Sequence, residues 1–420
     1  MIKANDPTRI SWVQYDGSTD FPVQNIPFGI MIAGGKHKVC SRIGDYIIDI
    51  AALYELGFLN GIDLGLQHLE NEFLNDFISL GKEVTNAVRD RLADVLDDKN
   101  TLGAKAKSEK FLRPALETVM SMPVRIGDYT DFYSSREHAF NVGCMFRDPK
   151  NALMPNWLHL PVGYHGRASS IILSDCDVKR PKGQQLPPDS EVPVFGPCKQ
   201  LDFELEVAFI VGKSNHLGET ISTANAEEYI FGLCLFNDWS ARDIQRWEYV
   251  PLGPFLSKNF ASTLSPWIVT LEALEPFKTV GPVQETKILP YLEYSGEKNY
   301  DIHLQVSIKP EGSDPVVVSR SNFKYMYWNM VQQVAHHTVN GCNLRVGDLC
   351  ASGTISGPTP DSYGSMLEIA WKGTKPVNMN DGTTRSFILD GDEVALTGYA
   401  EKNGVRIGFG DCKAKILPAD

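Results

Sequence analysis

Residues 201–209 read Leu201-Asp202-Phe203-Glu204-Leu205-Glu206-Val207-Ala208-Phe209. Leu201, Phe203, Leu205, Val207 and Phe209 alternate, so the pattern predicts a strand with these five on one face. Asp202, Glu204 and Glu206 take the other face. Glu204 and Glu206 then stand roughly 6.5 Å apart along the strand. Two ionised carboxylates brought to about 5 Å repel by on the order of 3 kcal/mol at an effective dielectric near ~20. A third or fourth carboxylate multiplies that cost. Either water spreads the charge or a cation neutralises it. Spacing alone favours the plainer alternative, the wet face of an edge strand, because exposed glutamates are common.

An acidic turn follows about thirty residues on, Asn237-Asp238-Trp239-Ser240-Ala241-Arg242-Asp243. Asp131, Glu204, Glu206 and Asp238 together offer an all-oxygen site. Oxygen donors without thiolate or paired imidazole suit Ca²⁺ or Mg²⁺ better than zinc. A helix after Asp238 would carry Arg242, Gln245 and Tyr249 at i, i+3 and i+7, on one face. Such donors beside a metal suit an anionic, oxygen-rich substrate, and a surface helix with a stray arginine is an equal alternative. Lys258 follows a bend at Gly253-Pro254 and could return to the same place, although a lone lysine is usually solvated.

His138 closes the stretch Gly127 to His138. Histidine is the commonest general base near neutral pH, but His138 is one of nine. His336 and His337 fall on a predicted helix and read as structural. His159 and His165 lie in the turn-rich segment Trp157 to Arg167. No GxSxG elbow is present, and no cysteine has a helix-start or paired-histidine setting.

The chain has 420 residues, 43% hydrophobic and 22% charged, with a formal net charge of -12. These values are ordinary for a soluble protein and argue against nucleic acid as a main partner. The eight cysteines, at 40, 144, 176, 198, 234, 342, 350 and 412, form no CxxC pair. They predict a reduced, cytoplasmic protein. The first residues lack a signal-peptide pattern, no apolar run approaches a membrane span, and the last residues carry no lipidation signal.

Residues 1–120 read as a separate, mainly β unit without a catalytic constellation. Extended segments at 29–33 and 46–50 flank the turn Gly34-Gly35-Lys36-His37. Leu66, Leu69, Phe73, Phe77 and Leu80 predict a helical stretch over about 65–98, continued past Gly81 by Val84, Val88, Leu92, Val95 and Leu96. Residues 121–420 are β-rich with dense turn signals. A hairpin is predicted at Asn403-Gly404 between 393–399 and 405–409. Tyr327, Met330, Val331, Val334 and Thr338 predict a helix over about 326–339, ended near Gly341. No Walker A loop and no GxGxxG between strand and helix occurs.

Over essentially its whole length the chain resembles the fumarylacetoacetate hydrolase family. The strings that carry the resemblance are Asp128 to His138, Asn156 to Ser170, Leu201 to Val207, Asn237 to Lys258, Ala351 to Gly357 and Ser365 to Thr374. The resemblance implies a mainly β protein: a small N-terminal SH3-like barrel over 1–120 and a large C-terminal mixed β-sandwich roll over 121–420, holding the active site. It also implies a homodimer, acting on a small diketo acid. The implied activity is that of a hydrolase of carbon–carbon bonds in ketonic substances. It would split 4-fumarylacetoacetate into fumarate and acetoacetate, the last step of tyrosine and phenylalanine catabolism.

Carried over by resemblance, the calcium ligands fall on Asp131, Glu204, Glu206 and Asp238. A magnesium site falls on Asp238, Lys258 and Ser262, with the Lys258 carbonyl facing the ion. The catalytic histidine falls on His138 and its orienting carboxylate on Glu368. Arg242, Gln245 and Lys258 fall on the oxyanion-facing groups. Tyr133, Arg147, Tyr164, Arg242, Gln245, Tyr249 and Thr354 fall on substrate-binding positions. Two positions depart from the family pattern: Ser262 replaces a threonine, and Phe140 replaces a small polar residue and would tighten packing around His138. The alternatives are an acylpyruvate hydrolase or a dienoate isomerase or decarboxylase of the same superfamily, and a non-catalytic dimer that binds a metal and an organic acid.

Overall fold

The strand over 201–209 is in fact two strands. Leu201–Asp202 pairs with Ser240–Ala241, and Leu205–Val211 pairs with Ile230–Asn237. The break has a local cause: the Asn237 side-chain oxygen accepts the Glu204 amide at 3.1 Å, in place of a ladder bond. In this computed structural model, which describes residues 2–420, Leu205–Val211 is central rather than at an edge. It lies between Ile230–Asn237 and Leu349–Ala351 in an eight-stranded mixed sheet. The expectation of a wet edge strand therefore fails. All seven residues are buried.

Each face has its own cover. Leu205, Val207 and Phe209 pack with Leu304, Val306, Leu396 and Phe409 of a second, five-stranded sheet. Ala208 and Ile210 pack with Phe28, Ile30, Phe77, Val88 and Leu92 from the first part of the chain. Sheets buried on both sides lose the simple alternation of polar and apolar residues. The hairpin of the second sheet forms as predicted. Glu393–Lys402 and Val405–Leu417 are joined through Asn403 and Gly404, both with positive φ.

The first 121 residues hold a five-stranded sheet, ordered Leu112–Pro114, Tyr46–Asp49, Lys36–Ile43, Gly29–Ala33, Val119–Ser121. Residue 50 begins a helix rather than ending a strand, because Asp49 caps Ile50–Glu55 through a 3.0 Å bond from the Ala52 amide. The long helical stretch is interrupted. Leu66–Leu69, Asn75–Ser79 and Lys82–Leu96 are separate helices. Gly81, at φ +84°, turns the chain between the last two. Met330–Thr338 starts later than predicted, because Asn329 caps it in a reciprocal box with Gln332. Tyr327 stays outside and packs on Trp157 and Trp328. Among the described residues no helix is long and apolar enough to cross a membrane. The eight cysteines are unpaired.

Candidate active site

Neighbouring strand ends gather the acids. The register Leu205↔Asn237 sets Glu204 beside Asp238, and Ala351↔Asp131 brings the strand Tyr129–Phe132 alongside. Asp131, Glu204, Glu206 and Asp238 each offer an oxygen within 4.8 Å of the others, and all four residues are buried. Gly353 closes the group, donating its amide to Glu206 Oε2 at 3.0 Å. Only glycine fits there. Its φ is +76°, and a Cβ would sit 2.3 Å from the Phe132 carbonyl oxygen.

Two cations enter the cluster. The Lys258 ammonium donates to Asp238 Oδ2 at 2.6 Å and to Glu204 Oε2. Lys258 thus faces the acids with its charged end. Arg242 lies 2.8 Å from Glu204 Oε1 and bonds Asp202 Oδ2 at 2.9 Å. Ser262 and Tyr164 donate to Asp238 at 2.8 and 3.2 Å. Five carboxylates, counting Asp202, therefore share two positive charges.

The imbalance shows in the acids. Burial, then the Asp238 charge, pushes the Asp131 carboxyl well above the usual range. Burial, then Asp131, does the same to Glu206. Burial also opposes ionisation of Glu204, but Lys258 and Arg242 outweigh it and hold that group low. Asp131 Oδ1 and Glu206 Oε1 are buried without a hydrogen-bond partner. Unpartnered buried oxygens in an all-oxygen donor set fit a hard divalent cation.

His138 stands across the cavity on the helix Arg136–Phe146, which Ser135 caps. Its Nδ1 meets Glu368 Oε2 at 2.7 Å. Glu368 also accepts from Ser356, Ser365 and Asn141, each at 2.9 Å. Burial raises this acid, but His138 and these donors more than reverse the shift. Tyr133 packs edge-on against the imidazole at 5.2 Å.

One cavity of about 650 Å³ unites these groups. His138, Asp131, Glu204, Glu206, Arg242, Gln245 and Lys258 line it, as do Tyr133, Arg147, Tyr164, Tyr249 and Thr354. Glu368, Asp238 and Ser262 stand behind that lining. Arg147 is tied to the Asn151 and Ala152 carbonyls. His336 and His337 bond Tyr291 and Thr130, outside the cavity lining. Phe140 corrects an expectation. It is 37% exposed under the Arg136 guanidinium and does not tighten the packing of His138, because two helical positions separate their directions.

The sequence reading gave no role to Asp202, Ser356, Ser365 or Asn141. Period-two alternation placed Asp202 on the acidic face but carried no signal for its partners. Asn141 lies three residues after His138, a spacing that puts both on one helix face.

Two family models cover most of the chain. One, described as fumarylacetoacetate (FAA) hydrolase C-terminal, matches residues 129–417, and one described as fumarylacetoacetase N-terminal matches residues 24–123. The chain belongs to the fumarylacetoacetate hydrolase family. The fumarylacetoacetase of Homo sapiens is 51% identical over 419 residues, covering 98% of this chain and 99% of its own. That of Dictyostelium discoideum is 52% identical over 422 residues, covering 98% of each. A solved fumarylacetoacetate hydrolase from Exiguobacterium antarcticum shares the fold, with a TM-score of 0.53 at 15% identity, over 94% of this chain and 99% of that one.

Proposed function

We propose that this chain hydrolyses the carbon–carbon bond of 4-fumarylacetoacetate to fumarate and acetoacetate, the last step of tyrosine and phenylalanine breakdown. One observation carries the reading. His138, backed by Glu368, and the four-carboxylate cluster open onto one cavity, in a chain that matches fumarylacetoacetases end to end.

Glu368 engages Nδ1 of His138, so Nε2 is the nitrogen free to accept a proton. His138 takes that proton from water, and the hydroxide attacks the carbonyl carbon of the fumaryl portion. Arg242, Gln245 and Lys258 supply donors to the tetrahedral oxyanion; one such donor is typically worth about 3 to 4 kcal/mol. The bond to the neighbouring methylene breaks. Its electron pair leaves with the acetoacetate fragment and takes up one proton, so one water is consumed. Asp131, Glu204, Glu206 and Asp238 would hold a divalent cation, which when bound supplies Lewis-acid stabilisation of charge on the substrate's diketone oxygens. Tyr133, Arg147, Tyr164, Tyr249 and Thr354 bind the substrate.

The oxygen-only donor set supports Ca²⁺ at the four carboxylates. The Ser262 hydroxyl and the Lys258 segment beside Asp238 support Mg²⁺ there. The five-stranded sheet supports an SH3-like barrel over 1–120, and the two packed sheets support a β-sandwich roll over 121–420. Membership of the family supports a homodimer. Unpaired cysteines support the cytoplasm. The test is incubation with fumarylacetoacetate, with and without chelator, following loss of its enedione absorbance. Turnover to fumarate and acetoacetate that chelation abolishes is expected. No turnover, or turnover to another product, overturns the reading.

A further inference from the structure

We infer that Asp202 is a positioning residue that fixes Arg242 and the Glu368-bearing helix in one register, so that the oxyanion donor and the acid behind His138 are set together. This inference rests on the hydrolase reading above. Asp202 is fully buried, at 0% exposure, and does not line the cavity. Its two oxygens receive three donors. Oδ2 accepts Arg242 Nε at 2.9 Å and the Leu367 amide at 3.0 Å, and Oδ1 accepts the Met366 amide at 2.7 Å.

The two amides begin the helix Met366–Ile369. Its own N-cap, Ser365, makes no side-chain cap bond. The Ser365 hydroxyl instead donates to Glu368 Oε2 at 2.9 Å. A carboxylate from a distant strand thus does the capping, and the local serine is freed to hold the catalytic dyad. The other end of the arrangement runs through Arg242. Its guanidinium spans from Asp202 to Glu204 Oε1, at 2.8 Å. One buried anion therefore joins the metal-facing wall, the oxyanion donor and the dyad. Charge-assisted bonds of this kind are the strong ones, and a buried guanidinium fork holds its partner in a fixed plane.

The chemistry demands a carboxylate. Asparagine has the same shape but only one acceptor oxygen, and its amide nitrogen would point at a donor. Asp202→Asn must then release Arg242 or one of the two backbone amides. A second barrier to substitution is burial, since a lone Arg242 charge would be left facing Glu204 only.

The wild-type protein with fumarylacetoacetate tests the hydrolase reading by itself. With an active wild type, D202N is expected to lower kcat by about 10- to 100-fold, the usual effect of losing a group that orients a catalytic partner. KM should rise too, because the Arg242 that Asp202 holds is itself a substrate-binding group, so kcat rather than KM carries the test. Part of the loss should vanish when D202N is added to Arg242→Gln, since both changes undo the Asp202–Arg242 contact, and the part carried by the Met366 and Leu367 amides should remain. A purely structural role predicts independent, multiplicative effects and a kcat that tracks thermal stability. Either result overturns the inference and leaves the hydrolase reading intact. An activity-free arm runs on the same proteins: amide hydrogen exchange over 365–369 should quicken in D202N. Unchanged exchange there refutes the capping role even if wild type proves inactive. Should D202N not fold, Asp202→Glu replaces it. The longer side chain keeps the charge but displaces the carboxylate from the Met366 and Leu367 amides, so exchange over 365–369 should quicken and kcat should fall; wild-type exchange and activity in that variant refute the inference.

Discussion

His138 Nδ1 lies 2.7 Å from Glu368 Oε2, and the two residues are 230 positions apart in the chain. Glu368 spends its remaining capacity on Ser356, Ser365 and Asn141. This carboxylate meets donors at both oxygens, an arrangement that orients the imidazole through Nδ1. In the proposed mechanism, a base held in this way is ready before substrate arrives, which is the condition for general-base catalysis at neutral pH.

Replacing His138 with alanine should leave the fold and the metal affinity in place. Turnover of fumarylacetoacetate should drop by about 10²- to 10⁴-fold, the usual range for one general base. Circular dichroism and calcium calorimetry would check the first part, and steady-state kinetics the second. Activity close to wild type would remove His138 from the mechanism.

Asp131→Ala removes one wall of the acidic cluster and one of its two unpartnered buried oxygens. Its first effect should be weaker Ca²⁺ binding by isothermal titration. In wild type, added Ca²⁺ should raise Tm progressively with concentration, because the ion binds only the folded arrangement. The same titration on the variant should give a smaller rise. Equal affinities in the two proteins would remove Asp131 from the ligand set.

Glu368 gives a pH prediction. Burial alone would raise its carboxyl, but His138 and the hydroxyl and amide donors bring it below its ordinary value of 4.5. An acid with a depressed folded value adds stability that is complete above the unfolded value. That stability is lost as pH falls toward the folded value. The Tm difference between wild type and Glu368→Gln should therefore be largest above pH 4.5 and narrow on further acidification. A gap that widens in acid would contradict the sign of the shift.

Phe140→Ser restores a small polar residue on an outward helix position. Phe140 touches solvent and the Arg136 guanidinium, not the cavity. Stability should change by no more than about 0.5 kcal/mol, as for surface substitutions. Turnover should be unchanged. A marked loss of activity would mean that this ring reaches His138 in solution.

Local signals survived wherever the chain decides its own conformation. Asn403-Gly404 has the positive φ values a tight hairpin needs, and the strands around it pair as read. The helix over 82–96 follows its apolar spacing, while Gly81 and the Asn329 cap reset boundaries by geometry that periodicity does not encode. The acids at 131, 204, 206 and 238 were legible as a candidate all-oxygen site, and the family strings matching in order turned that reading toward function. From spacing alone, Glu204 and Glu206 read more readily as a solvated edge.

Sequence by itself therefore determined the β character of the chain, its turns and the residue types able to bind a cation and activate water. Tertiary structure decided which of them meet. Strand register set Glu204 beside Asp238, and covers on both faces of Leu205–Val211 left the acids buried at the wall of the cavity. Asp202 acquired its three donors from segments 40 to 165 residues away. The reason is physical: burial and partner identity arise from contacts between distant segments. A carboxylate's charge, its acidity and its function follow from those contacts rather than from its neighbours along the chain.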